Sequence, residues 1–213
     1  MAKENWIKKH PVWSGVIGVF LLFILIGIFS GGDNSSTTNT QPAKEEIKFS
    51  GSITDNSGDC ESSQSGNPIQ CKGAVDITSA TLIQENGLAT VTINLAEDIP
   101  AVSELKEIED ENYIFWPEIY QYVLSVRINN EWKDVLFGDL RADTKKAEGG
   151  CGPIYIVDKN IGSCDDSQVT FLVEGNKITI KGPLQPKITD FKIETLYEAP
   201  SMEEDNIIDV AES

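Results

Sequence analysis

Histidine is nearly missing from this chain of 213 residues: the single one, His10, lies close to the N-terminus. Beyond it there can be no Ser-His-Asp triad, no Cys-His pair and no histidine-bearing metal site. Basic charge is also scarce, with 17 Lys and Arg against 34 Asp and Glu and a formal net charge of −17. A phosphate-binding surface, and nucleic acid as a partner, are therefore not expected. There is no P-loop, no dinucleotide fingerprint and no C-x-x-C redox pair. Carboxylates are what remain for chemistry, and they are too numerous for sequence to single out a glycosidase-type pair. The expectation is a protein that is not an enzyme, with a carboxylate-dependent hydrolase as the lesser alternative.

Long apolar runs are absent with one exception. Val12 to Phe29 carries no charge, follows Pro11 and ends at Ser30-Gly31-Gly32. A helix of that length reaches about 27 Å, close to the thickness of a bilayer core. Lys3, Lys8 and Lys9 precede it, whereas the next positive charge is Lys44, so the N-terminus is expected in the cytoplasm and the rest outside. The run exceeds the length of about 7–15 residues usual in signal peptides. An uncleaved anchor is the reading; a cleaved signal ending near Ser30 or Gly32 is the alternative. The expected division is a cytoplasmic N-terminus at 1–11, a transmembrane helix at 12–30, a flexible polar stalk at 31–46, an extracellular domain at 47–198 and an acidic tail at 199–213. Asn34-Ser35-Ser36 in the stalk is a glycosylation sequon.

Cys60, Cys71, Cys151 and Cys164 all fall in the outward part. An even count in an oxidising compartment points to disulfides. Of the three pairings possible, Cys60–Cys71 and Cys151–Cys164 each close a short loop rich in turn residues. Neither spacing has the close ligand pairs of a zinc site.

From Ile47 the pattern is β: short alternating apolar runs between turn signals. Asn86-Gly87 separates two such runs, and Ala89, Val91, Ile93 and Leu95 share one face of the second. Tyr120, Tyr122, Leu124, Val126 and Ile128 share a face of the longest run, which Asn129-Asn130 turns into Trp132 to Phe137. Val169, Phe171 and Val173, then Ile178 and Ile180, then Phe191, Ile193, Thr195 and Tyr197 continue the series. Val102 to Glu111 reads as one short helix with Ser103 able to cap it. The tail is expected to fray, unless Ile207, Ile208 and Val210 add an edge strand. The fold class expected is mainly β, an antiparallel two-sheet sandwich.

Two patterns suggest a site. Asp55-Asn56-Ser57-Gly58-Asp59, with Asp76 at a strand start, offers short oxygen-bearing side chains that can contribute to a Ca²⁺ shell; the same residues also make ordinary turns. Tyr113, Phe115, Trp116, Tyr120 and Tyr122 cluster, and Trp116 with Tyr113 are the candidates for an exposed sugar-binding face, against the alternative that the aromatics fill the core.

The series Asp55-x-x-Gly58-Asp59, Asp76-Ile77-Thr78-Ser79-Ala80, a hairpin, Ile99-Pro100 and Tyr122-x-Leu124-x-Val126 resembles the DOMON-like and glucodextranase C-terminal-type β-sandwich modules of secreted prokaryotic proteins. It covers about residues 50–130. The resemblance implies an immunoglobulin-like module that binds carbohydrate or acts as a spacer, in some members with calcium; here Asp55, Asp59 and Asp76 are the matching positions. The two cysteine loops depart from that pattern, and without a haem-ligand histidine no redox role carries over. Lys8-Lys9-His10-Pro11-Val12-Trp13-Ser14-Gly15 resembles the start of anchors in archaeal surface proteins. The function expected is a membrane-anchored surface module that binds glycan or an envelope component; the alternative is a spacer domain of the envelope with no ligand.

Overall fold

The computed structural model describes residues 47–109, 115–153, 163–201 and 204–213. The expected span, the stalk with Asn34, and Tyr113 lie outside these residues, and among the described residues no helix is long and apolar enough to cross a membrane.

Thirteen strands are described: β1 Lys48–Thr54, β2 Glu61–Ser62, β3 Ile77–Glu85, β4 Leu88–Leu95, β5 Glu107–Glu109, β6 Phe115–Pro117, β7 Ile119–Ile128, β8 Glu131–Arg141, β9 Lys146–Cys151, β10 Thr170–Glu174, β11 Lys177–Pro183, β12 Phe191–Glu198 and β13 Ile207–Glu212. They form a sheet of five in the order β1-β3-β4-β11-β10, a sheet of six in the order β2-β13-β12-β7-β8-β9, and the small pair β5-β6. All pairings are antiparallel. The protein is mainly β, and its two large sheets make a sandwich.

The turns arise where the backbone needs positive φ. Asn86 and Gly87, at 55° and 77°, and Asn129 and Asn130, at 52° and 65°, close the β3–β4 and β7–β8 hairpins, as expected of two-residue loops whose twist matches the strands. Alternation then sets the core. Ala89, Val91, Ile93 and Leu95 of β4 are buried, as are Tyr120, Tyr122, Leu124 and Val126 of β7 and Phe191, Ile193, Thr195 and Tyr197 of β12. The partners are in register, with Tyr120 opposite Tyr197, Tyr122 opposite Thr195 and Leu124 opposite Ile193.

One segment passes between the sheets without being a strand. Ala74, Val75 and Asp76, ahead of β3, are buried. Tyr122 Oη donates to the Ala74 carbonyl at 2.9 Å and Thr195 Oγ1 to the Val75 carbonyl at 2.6 Å, while the Ile77 N–H donates to Asp209 Oδ2 at 2.6 Å. Tyr122, Thr195 and Asp209 are directly paired across β7, β12 and β13. A single row of one sheet therefore satisfies the polar groups of the strap.

Two disulfides, Cys60–Cys71 and Cys151–Cys164, form as expected, and they point to an oxidising, extracytoplasmic location. One local expectation is corrected, and the alternative left open for the tail is decided. Val102 to Glu111 is not a helix: only Val102–Glu104 makes a 3₁₀ turn, capped by Glu104 rather than Ser103, and Glu107–Glu109 pairs with β6. The backbone of Lys106 exchanges hydrogen bonds with Glu118 instead of continuing a helical ladder. The acidic tail is not frayed throughout, because β13 joins the second sheet and Ile207, Asp209 and Ala211 face inward while Val210 is exposed. Trp116 falls within β6.

β9 has no apolar alternation, and its glycines leave room for neighbouring side chains. A Cβ on Gly150 would lie within 3.0 Å of the Phe137 ring, and one on Gly149 would meet Val169 and Phe171; Phe171 also covers Gly138. Gly138→Val is expected to displace Phe171 and to destabilise the domain by about 1–3 kcal/mol. Thermal unfolding should show a midpoint lower by several degrees; an unchanged midpoint would show that the ring does not need that space.

Candidate functional site

Among the described residues, two places stand out for their chemistry-bearing side chains. The first lies where β1 ends. Asp76, buried at the close of the strap, does not join the carboxylates beside it. Its Oδ2 accepts from Ser57 Oγ at 2.7 Å and both oxygens accept from the Gly58 N–H at 3.1 Å, so it clasps the turn. That turn reverses at Gly58, whose φ is 90°. The clasp presents Asp55 and Asp59 toward Asp209, and the three offer carboxylate oxygens within 4.8 Å of one another. Two of the three residues expected from sequence thus meet, and the third is a positioning group. Asp209 is hidden by composition in the acidic tail; the signal that could have found it is the Ile207-x-Asp209-x-Ala211 alternation, which places it on the inward face.

The cluster is electrostatically uncomfortable. Burial pushes the Asp209 carboxyl up to about 6; the Ile77 N–H opposes the shift, and the charges of Asp55 and Asp59 add to it. Asp55 is also raised, by burial first and then by Asp59 and Asp76. One Asp55 oxygen, Oδ2, is buried without a hydrogen-bond partner. Close carboxylates with an unsatisfied oxygen fit a hard cation of the calcium type, which takes oxygen ligands at about 2.3–2.6 Å. Asp55, Asp59 and Asp209 are the residues that would hold it.

The second place is a cavity of about 580 Å³ between the β8–β9 hairpin and β10, lined in part by Phe137, Asp139, Arg141, Lys146, Glu148 and Phe171. It is within the range of about 300–1,000 Å³ usual for ligand sites. Its rim is covalently fixed: Cys151 at the end of β9 is bonded to Cys164, and its N–H donates to Asp166 Oδ1 at 2.8 Å. Asp139 is buried, and its Oδ1 accepts from Gln121 Nε2 at 3.0 Å. Burial raises its carboxyl above the ordinary range, with Gln121 and Arg141 opposing and Glu198 and Glu148 adding. Glu148 lies directly across the ladder from Asp139 and is paired with Lys146 at 3.1 Å. Arg141 holds Asp143 through Nε and Nη2 at 3.0 and 2.9 Å. The cavity therefore mixes acceptors, donors and two rings with little net charge. Residue pattern does not mark it, because β9, which forms one wall, has no apolar alternation.

In comparisons with known proteins, the chain matches no family model, no curated protein and no solved structure.

Because the folded carboxyl of Asp209 lies above its ordinary value, the native state binds more protons than the unfolded chain between about pH 4 and 6. The contribution of this group to stability is then greatest below that window and is lost as the pH rises through it. Asp59→Asn removes an exposed charge that raises both neighbours. In chelator it is expected to raise the unfolding midpoint at pH 7 and to leave it nearly unchanged at pH 4. A lower midpoint at pH 7 would mean that the carboxylates do not repel. Excess Ca²⁺ should raise the midpoint of the wild type and not that of an Asp55→Asn, Asp59→Asn variant; equal responses would exclude these residues as ligands.

Proposed function

We propose that the chain is a single-pass, membrane-anchored surface protein whose sandwich binds a glycan of the cell envelope. The observation that carries this reading is the cavity beside Cys151–Cys164, where Asp139 and Glu148 can accept hydroxyl hydrogens, Arg141 and Lys146 can donate, and Phe137 and Phe171 offer apolar ring surface. Sugars present that alternation of polar edge and apolar face, and a rim fixed by a disulfide limits the ordering cost of binding. The uncharged run Val12 to Phe29, with its lysine bias, supports the anchor, and the two disulfides support an outward domain. The resemblance to DOMON-like and glucodextranase C-terminal-type modules supports an immunoglobulin-like sandwich of the carbohydrate-binding or spacer kind. Calcium at Asp55, Asp59 and Asp209 is a structural ion in this reading, and no catalysis is assigned to the carboxylates.

The full-length protein, fluorescently labelled, is expected to bind neutral oligosaccharides on a glycan array. Asp139→Asn should weaken that binding by tenfold or more, the scale of about 1.4 kcal/mol, without lowering the unfolding midpoint. Binding that survives in Asp139→Asn would move the site elsewhere. No binding to any glycan would favour the spacer reading.

A further inference from the structure

Each large sheet ends in two edge strands, and three of these four edges are guarded. β2 has only two residues, and β9 and β10 close on each other, with Gly149 of β9 against Val169 and Phe171. The fourth edge is open. β1, Lys48–Thr54, runs for seven residues at the margin of the five-stranded sheet. Its register with β3 is unbroken from Lys48 opposite Glu85 to Thr54 opposite Ser79. It has no proline, and its one charge, Lys48, is paired with Glu85 at 3.2 Å. Proline, bulges, inward-pointing charge and brevity are the usual means of keeping such an edge from pairing. None occurs from Phe49 to Thr54, and among the described residues no strand pairs with the outer edge of β1.

The residue order of β1 says what pairs with it. About Gly51 the strand is nearly palindromic: Ser50 and Ser52 flank the glycine, Phe49 and Ile53 come next, and Lys48 and Thr54 last. Faces match as well as order. Phe49 packs edge-on to the buried Phe191 and Ile53 is itself buried, whereas Ser50, Ser52 and Thr54 are exposed on the other face. A second β1 laid antiparallel about a two-fold axis at Gly51 therefore sets Phe49 opposite Ile53, Ser50 opposite Ser52 and Lys48 opposite Thr54. Apolar meets apolar and hydroxyl meets hydroxyl, pairs that support an antiparallel ladder. No like charges stand opposite each other, which matters in a chain of net charge −17. Contact of residue i with j and of j with i is also the form that two-fold symmetry requires.

We propose that the chain forms a two-fold dimer through β1, which pairs antiparallel with β1 of a second copy and joins the two five-stranded sheets into one. The cavity beside β10 lies at the opposite margin of that sheet from β1. The dimer thus carries its two cavities at the far margins of the joined sheet, where a long ligand can be held at two points. The pairing itself does not depend on what the cavities bind.

The test uses the full-length, oxidised chain in a neutral detergent, where the native cysteines leave no free thiol. Ser50→Cys and Ser52→Cys chains are mixed and treated with a mild oxidant. Opposite residues of the new ladder have Cα atoms about 4.5–5.5 Å apart, within reach of a disulfide. Two copies of the same position are diagonal neighbours at about 7–8 Å, beyond that reach. Cross-linked dimer is expected in the mixture several-fold above either variant alone. By sedimentation the wild type is expected to be a dimer. Ser50→Asp with Ser52→Asp, which sets carboxylates opposite each other, should shift it to monomer with the unfolding midpoint little changed. A monomeric wild type, or cross-linking no greater in the mixture than in the single variants, overturns the proposal. A dimer that persists with both aspartates is joined elsewhere and overturns it too.

Discussion

The strap Ala74 to Ile77 is the constraint on which the rest of the sandwich depends. Peptide groups carried between two apolar sheets would cost several kcal/mol if left without partners. The row Tyr122, Thr195 and Asp209 removes that cost, taking two carbonyls and one N–H of the strap in sequence. The same row ties the five-stranded sheet to the six-stranded one, because Ile77 opens β3. Asp76, within the strap, then clasps the turn that brings Asp55 and Asp59 to Asp209. Core and acidic cluster are built from one hydrogen-bonded arrangement, and the raised Asp209 carboxyl shows that it is held against an electrostatic penalty.

Much of the fold is legible in residue pattern alone. Period-two alternation places β4, β7, β11 and β12, and Asn-Gly and Asn-Asn place their turns, because burying one face and matching strand twist leave a direct mark on residue choice. What escapes that pattern is set by tertiary contact. β9 has no apolar alternation, yet Gly150 gives the Phe137 ring the room it needs and Gly149 lies against Val169 and the Cβ of Phe171. Asp209 reads as one acid among many until pairing with Thr195 places it under the strap. The segment after Ile99 has helical spacing, but the Glu118 carboxylate captures the Lys106 N–H and holds the backbone extended.

The candidate binding cavity follows a different rule from the acidic cluster. It sits where β9 and β10, the last strands of their sheets, approach each other. Core packing cannot fill that margin, so the Cys151–Cys164 bond and the Cys151–Asp166 hydrogen bond hold it. Charges there are largely matched, in contrast to the protein as a whole at −17. Acceptors and donors balanced around two rings favour an uncharged polyol over an anion or a cation.

The claim that the strap is core rather than loop is tested most directly by amide hydrogen exchange of the full-length, oxidised protein, read at Ile77. The Asp209 carboxylate and complete burial are expected to give this amide the protection of the central strands β4 and β7, with exchange only through global unfolding. Exchange at the rate of the exposed Asn56 or Ser57 amides would contradict it, and would remove both the tie between the sheets and the support beneath the acidic cluster.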